Sequence, residues 1–271
     1  MRAKIPFKRL ATIILLLSVM PFAALCATTP YTERTRLMLT TEAQENEMGE
    51  KSYREFMAKA APSRNRVYVG MVERVGRRLA AVAGKPDYKW EFTVVESKEV
   101  NAFCLPGGKI VFYTGIMPMF ENEAELAVVM GHEIAHAVLR HGGERMSQAM
   151  AANVVGSILG ALTEKDGKRE LYMAAFGGIT TVGLILPYSR KHEYEADETG
   201  TLFTAKAGYA PDAAVSFWQK MMKQGGARPP EFLSTHPADN KRVEYLRKLM
   251  PRMKQVYSAA AEKHGYGEAL R

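Results

Sequence analysis

The stretch Gly131-His132-Glu133-Ile134-Ala135-His136 constrains this chain more than any other. Two histidines four positions apart on a helix leave the same face, one turn apart. Neutral imidazole is a good ligand for zinc. Glu133 follows His132 directly and can reach water held by such a metal without taking a coordination position. The pattern H-E-x-x-H on a helix therefore describes a zinc site with its general base beside it. The neighbouring residues support a helix. Asn122 and Glu125 read as a capping box. Leu126, Val129, Met130, Ile134, Ala137 and Val138 recur at helical spacing, and Gly142-Gly143 supplies a stop. The alternative is a partly buried helix whose histidines are satisfied by hydrogen bonds.

A catalytic zinc takes three protein ligands and keeps one position open. The extended motif H-E-x-x-H-x-x-G-x-x-H does not hold here, because position 139 is leucine and position 142 is glycine. His141 lies five residues after His136, about 140° round the helix, and is predicted to point away as a surface residue. The third ligand must come from elsewhere. Ser189 can cap a helix running from Arg190 to Gly200. Glu193 and Asp197 share one face of it. Glu193 can bind the metal while Asp197 accepts a hydrogen bond from the far nitrogen of a ligand histidine, fixing its tautomer. His192 is the other ligand candidate. Ala196 and Gly200 are small enough for close approach to the zinc helix. Glu195 and Glu198 are expected on the solvated face.

With 271 residues, the chain has room for one large domain with appendages. Its first ten residues carry Arg2, Lys4, Lys8 and Arg9 and no acid, and Ala11 to Cys26 is almost wholly apolar. This is the form of a Sec signal peptide, taken as residues 1–27. An uncleaved membrane anchor is the second reading, although the run is short and Pro21 interrupts it. Lipid attachment at Cys26 is the third, disfavoured by the large Leu25 before it. The formal charge of +8 falls to 8 − 4 = +4 once the four basic residues of the signal region are removed. No basic patch interleaved with aromatics remains, so nucleic acid is not an expected partner. With Cys26 removed, Cys104 is the one thiol left and no disulfide can form within the chain.

Residues 28–61 are predicted to form an N-terminal linker (28–40) and an exposed, charged helix (Thr41 to Ala60). Arg66 to Val82 is helical by its apolar spacing. Trp90 to Val95, Val100 to Leu105 and Ile110 to Tyr113 read as three short strands. They give a small antiparallel sheet beside the zinc helix, turned at Pro106-Gly107-Gly108. An edge strand at Asn101-Ala102-Phe103 could pair with an extended peptide; an ordinary hairpin packed on the helix fits equally well. Arg145 to Leu162 and Leu171 to Leu186 form a helical hairpin, either packed on the body or facing a membrane. A helix near Pro211 to Gln224, a loop from Gly225 to Pro237 and a helix from Asp239 to Met250 follow. Residues 62–250 make the expected peptidase domain and 251–271 a basic tail.

His132-Glu133-x-x-His136 followed by Glu193-x-Glu195-Ala196-Asp197-x-x-Gly200 resembles the zinc peptidases related to the CaaX prenyl proteases, the HtpX-type heat-shock protease and the mitochondrial Oma-type protease. Val100-Asn101-Ala102-Phe103-x-x-Pro106-Gly107-Gly108 resembles the strand before the zinc helix in that family. Ser234-Thr235-His236-Pro237 with Arg242 resembles a motif near the end of its soluble members. The resemblance spans roughly residues 42–250. It implies that Glu193 is the third ligand, that Asn101, Ala102 and Phe103 line the substrate cleft, and that His236 is a site residue. His236 would either stabilise the oxyanion or close over zinc as a fourth ligand. The C-terminal helical repeats of some periplasmic relatives are absent here, as is the multi-span membrane body of the prenyl proteases.

Together these readings predict a mainly helical α+β zinc metallopeptidase of the gluzincin type, with one Zn2+ per chain on His132, His136 and Glu193. Glu133 is the expected general base, Asp197 the residue that orients His132, and His236 and Arg242 the expected oxyanion donors. The expected compartment is the periplasm, with unfolded or misfolded proteins as substrates and a peripheral membrane contact left open. A holdase or assembly factor with a closed zinc site is the alternative of a different class.

Overall fold

The computed structural model describes residues 26–163, 189–224, 230–237 and 239–270. Of the proposed signal segment 1–27, residues 1–25 lie outside them, as does the apolar segment Leu171 to Leu186, while Cys26 and Ala27 fall in the first strand. The chain divides into two units, residues 1–41 with 143–180 and residues 42–142 with 181–271.

In the first unit, β1 (Cys26–Thr28) pairs antiparallel with β2 (Thr35–Leu37). The sequence suggested an unstructured linker here. Three-residue strands are too short to show an alternation, and the connection is instead held by polar contacts: Thr29 Oγ1 accepts from the Arg34 amide at 2.9 Å. Arg34 forms a bidentate pair with Glu144 at 2.8 and 2.6 Å, and the Leu39 amide donates to Ser147 Oγ at 2.8 Å.

The second unit begins with α1 (Glu42–Met57) and α2 (Arg66–Val82), the latter capped by Asn65. Then come β3 (Glu91–Val95), β4 (Ala102–Leu105) and β5 (Lys109–Tyr113). The sheet order is β3-β5-β4 and the sheet is mixed: β4 is antiparallel to β5, but β3 is parallel to it. The expected all-antiparallel sheet is corrected on this point. The tight link between β4 and β5, with Gly107 and Gly108 both at positive φ, makes a hairpin. The longer 96–101 connection carries the chain past the β5 position, so β5 pairs between its two neighbours. β4 is left at one edge, as expected.

Helix α3 (Glu123–Val138) holds the H-E-x-x-H motif and is buried along its whole length. Asn122 caps it by accepting from the Glu125 amide at 3.1 Å, and the Glu125 carboxylate reaches back to the Glu121 amide at 2.8 Å. It ends at Val138, four positions before the expected stop at Gly142. Arg140 takes φ +55, and its guanidinium forms a bidentate pair with Glu45 of α1 at 2.9 and 2.7 Å. That ion pair offsets the cost of the left-handed turn. Gly142 and Gly143 then fall inside α4 (His141–Thr163).

After α5 (Arg190–Lys206), capped by Ser189, the chain forms α6 (Ala213–Gln224), the short α7 (Glu231–Thr235) and α8 (Asn240–Ser258). The expected loop up to Pro237 therefore contains a helical turn. The last helix runs past Met250 and through Pro251 to Ser258, so the first eight residues of the expected tail are helical. Met250 and Met253 continue its apolar stripe and pack with Leu202. That burial offsets the amide hydrogen bond that Pro251 cannot donate.

The core is built on the crossing of α3 and α5. A Cβ on Gly200 would sit 2.6 Å from the His132 nitrogen, and one on Gly131 would sit 2.7 Å from the Gly200 carbonyl oxygen. Backbone is in contact with backbone there, so nothing can yield cheaply. Gly200→Ala is expected to cost about 1–3 kcal/mol by overpacking and to weaken metal binding, because α5 carries Glu193. Thermal unfolding and zinc content check this; wild-type values for both would contradict it.

Candidate metal centre

His132 and His136 leave one face of α3, and Glu193 faces them from α5. His236, at the C-terminal end of α7, completes a buried cluster whose four donor atoms lie within 4.8 Å of one another. His132 Nε2 is 3.1 Å from His136 Nε2, 3.2 Å from His236 Nδ1 and 3.4 Å from Glu193 Oε2. Glu193 Oε1 is 3.4 Å from His136 Nε2 and 3.2 Å from His236 Nδ1. Zinc–nitrogen bonds of about 2.0–2.1 Å place the corners of a tetrahedron about 3.3 Å apart, so this spacing fits a four-coordinate metal.

The chemistry of the donors agrees. His132 Nδ1 faces the carboxylate Oδ1 of Asp197 at 3.1 Å. A carboxylate only accepts, so His132 carries its proton on Nδ1 and turns a lone pair into the cluster. A second imidazole nitrogen stands 3.1 Å from that lone pair, with a carboxylate beside both. Such a set is satisfied by a cation. Glu133 Oε1 and Glu193 Oε2 are buried and accept no well-aligned hydrogen bond, each facing basic groups instead: His236 Nε2 at 3.3 Å and Arg242 Nη1 at 2.8 Å.

Arg242, on the first turn of α8, is buried against this group. Its Nε and Nη2 donate to Asp197 at 2.8 and 2.7 Å, and Nη1 donates to the Pro237 carbonyl at 2.8 Å and lies 2.8 Å from Glu193 Oε2. Its guanidinium lies 4.0 Å from the centre of the Trp218 ring. Burial alone would raise the carboxyls of Glu193 and Asp197, but the Arg242 charge and the nearby histidines outweigh it and hold both below the ordinary range. A guanidinium engaged this fully is a clamp on the two carboxylates. The expected role of Arg242 as an oxyanion donor is corrected accordingly.

Glu133 lies across the cluster, with Oε1 3.3 Å from His236 Nε2. Burial pushes its carboxyl up to about 7; His236 and the Cys104 amide oppose the shift and Glu193 reinforces it. A general base works best with a pKa near the operating pH. The Asn101-Ala102-Phe103 segment borders the helix. Asn101 faces β5, since its carbonyl accepts from the Tyr113 amide at 3.1 Å. The backbones of Val100, Ala102 and Cys104 therefore face the open edge. Val100 there accepts from the Phe232 amide at 3.0 Å, and Asn101 Oδ1 accepts from the Ala102 amide at 2.9 Å. The Phe103 ring turns the other way, onto Phe56 and Tyr113.

Three expectations differ from what is found. His141 is buried, with Nδ1 2.9 Å from His136 Nδ1, because the Arg140 turn folds the start of α4 back against α3. Glu195 is buried and its Oε2 lies 3.1 Å from His141 Nε2, whereas Glu198 is partly exposed and pairs with Arg252. His192 stacks on His141 with ring centres 4.4 Å apart and is not in the four-donor cluster. Trp218 and Phe232, which no sequence motif marks, form an aromatic floor: Trp218 meets His132 edge-on at 5.5 Å and Phe232 lies 4.8 Å from His236. Single aromatics in apolar stretches carry no signal that marks them as neighbours of a site.

The profile of peptidase family M48 matches residues 69–250. The chain belongs to peptidase family M48. Among similar proteins, mitochondrial metalloendopeptidase OMA1 of Schizosaccharomyces pombe is 34% identical over 228 residues, covering 82% of this chain and 66% of its own length. The human mitochondrial metalloendopeptidase OMA1 is 32% identical over 242 residues, covering 84% and 46%. The β-barrel assembly-enhancing protease of Escherichia coli K12 is 28% identical over 227 residues, covering 81% and 46%. This M48 chain thus spans 46% to 66% of the length of these relatives. Among the described residues, no helix is long and apolar enough to cross a membrane.

Proposed function

We propose that this chain is a zinc-dependent endopeptidase that hydrolyses peptide bonds in unfolded or misfolded proteins of the cell envelope. The observation that carries the reading is the convergence of two imidazole lone pairs and the Glu193 carboxylate, with the Glu133 carboxylate buried beside them. His132, His136 and Glu193 would hold one zinc ion, which when bound supplies Lewis acidity to a carbonyl and to water. Glu133 takes the proton of the attacking water and delivers it to the leaving amine. Asp197 holds His132 in its ligating tautomer, and Arg242 holds Asp197 and Glu193 in place. On the outer edge of β4 the Ala102 amide bonds Asn101 Oδ1 and the Cys104 amide faces Glu133, so an extended substrate would pair there by replacing the Asn101 contact. Phe103, whose main chain pairs with β5 and whose ring turns onto Phe56 and Tyr113, would shape that edge without touching the substrate, and pairing through main chain alone implies weak sequence preference. The basic and apolar opening of the sequence supports export to the periplasm, and the name of the β-barrel assembly-enhancing relative supports an envelope substrate.

His236 Nδ1 takes the fourth corner of the cluster, where a substrate carbonyl would otherwise approach. In this reading His236 is a latch, packed against the Phe232 ring, and the described state is at rest. The same observation favours the second reading, a holdase or assembly factor whose zinc site stays closed. Casein hydrolysis by the purified mature chain, beside His236→Ala, separates them. His236→Ala is expected to keep its zinc and to cleave faster, by roughly tenfold for a tenfold-favoured closed state. Slower cleavage would make His236 an oxyanion donor instead. Silence of both zinc-loaded proteins would favour the holdase.

A further inference from the structure

The proposed reaction makes no use of the polar groups behind His136, and nothing in its chemistry requires them to be buried there. His141, His192 and Glu195 are nonetheless all buried. The His141 ring lies between His136 and Glu195, with Nδ1 2.9 Å from His136 Nδ1 and Nε2 3.1 Å from Glu195 Oε2. His192 stacks on it at 4.4 Å with an interplanar angle of 25° and fixes its plane.

The proton positions in this row follow from its far end. A carboxylate accepts and cannot donate, so His141 Nε2 carries a hydrogen. Neutral His141 then has a lone pair on Nδ1. An Nδ1 to Nδ1 contact of 2.9 Å needs one hydrogen between the two rings, so it belongs to His136. His136 is thereby left with a lone pair on Nε2, pointing into the four-donor cluster. The tautomer that a metal ligand needs is thus set by Glu195, two bonds of the relay away. His132 receives the same service directly from Asp197. The two ligand histidines of one helix are oriented by two carboxylates of α5, one in contact and one through an intervening imidazole.

We propose that His141 and Glu195 are positioning residues for the metal ligand His136, acting as a two-step relay that fixes its tautomer and strengthens its donation. This rests on the metal-site reading above. It also explains why the left-handed turn at Arg140 is clamped by Glu45: the turn returns the chain so that His141 faces His136.

The first test is on the wild type. Two-bond proton–nitrogen correlation spectra of the zinc-loaded chain, labelled in its histidine rings, are expected to show His136 protonated at Nδ1 and His141 at Nε2. His141 protonated at Nδ1 instead would overturn the relay. Second, zinc affinity is measured by chelator competition. His141→Phe, which keeps a ring but no acceptor, is expected to bind zinc 10–100-fold more weakly. His141→Asn, whose amide oxygen can stand near the Nδ1 position, is expected to stay within about threefold of wild type. Wild-type affinity in a folded His141→Phe would overturn the proposal. If His141→Phe does not fold, the wild-type tautomers decide alone. Zinc affinity unchanged in His136→Ala would instead sink the metal site itself, and the relay with it.

Discussion

Replacing Glu133 with glutamine is expected to leave zinc content at the wild-type level and to lower kcat for casein hydrolysis by about 10²–10⁴-fold. Glutamine keeps the length and planarity of the side chain but cannot take a proton. Glu133 is not among the four clustered donor atoms, so its loss should not empty the site. Its environment suits the task. The carboxyl is buried, lifted to about 7, and has one oxygen whose close basic neighbour is His236 Nε2 at 3.3 Å. Metal analysis and initial rates on the same preparations check the result. Activity retained in zinc-loaded Glu133→Gln would remove Glu133 from the chemistry. Zinc lost together with activity would make it a ligand.

Arg242→Met should give the largest loss of stability. The substitution keeps length and apolar contact with Trp218 but removes the charge that holds Asp197 and Glu193. Breaking one side of a buried ion pair costs about 3–5 kcal/mol, because the other side stays buried and uncompensated. In a chain of this size that lowers Tm by roughly 10 °C. Arg242→Lys is expected to recover only part of the loss, since an ammonium cannot serve two carboxylates with a planar fork. A Tm for Arg242→Met within about 2 °C of wild type would show that the clamp is dispensable.

Much of the centre was legible because its residues obey helical arithmetic. His132 and His136 are i and i+4, Glu193 and Asp197 are i and i+4, and the small Gly131 and Gly200 sit where the two helices touch. Helix α2 coincides with the apolar spacing of Arg66 to Val82. The burial of His141 is hidden from the sequence for a physical reason. The 140° rotation applies only while the helix continues, and α3 ends at Val138. A non-glycine residue in the left-handed region, paid for by an ion pair to a distant helix, leaves no local signature. Glu195 was misread because α5 is buried nearly all round, so charge did not mark the solvent side. Arg242 looked like an oxyanion donor because its partners Asp197 and Glu193 lie more than forty residues away in sequence. The parallel pairing of β3 depends on a connection length, which side-chain alternation cannot report.

The most direct test of the central claim is zinc content per chain, measured on purified wild type, His136→Ala and Glu193→Ala. One zinc per wild-type chain, with little or none in either variant, is the expected result. No zinc in the wild type, or a full complement in either variant, would contradict a centre built on His132, His136 and Glu193.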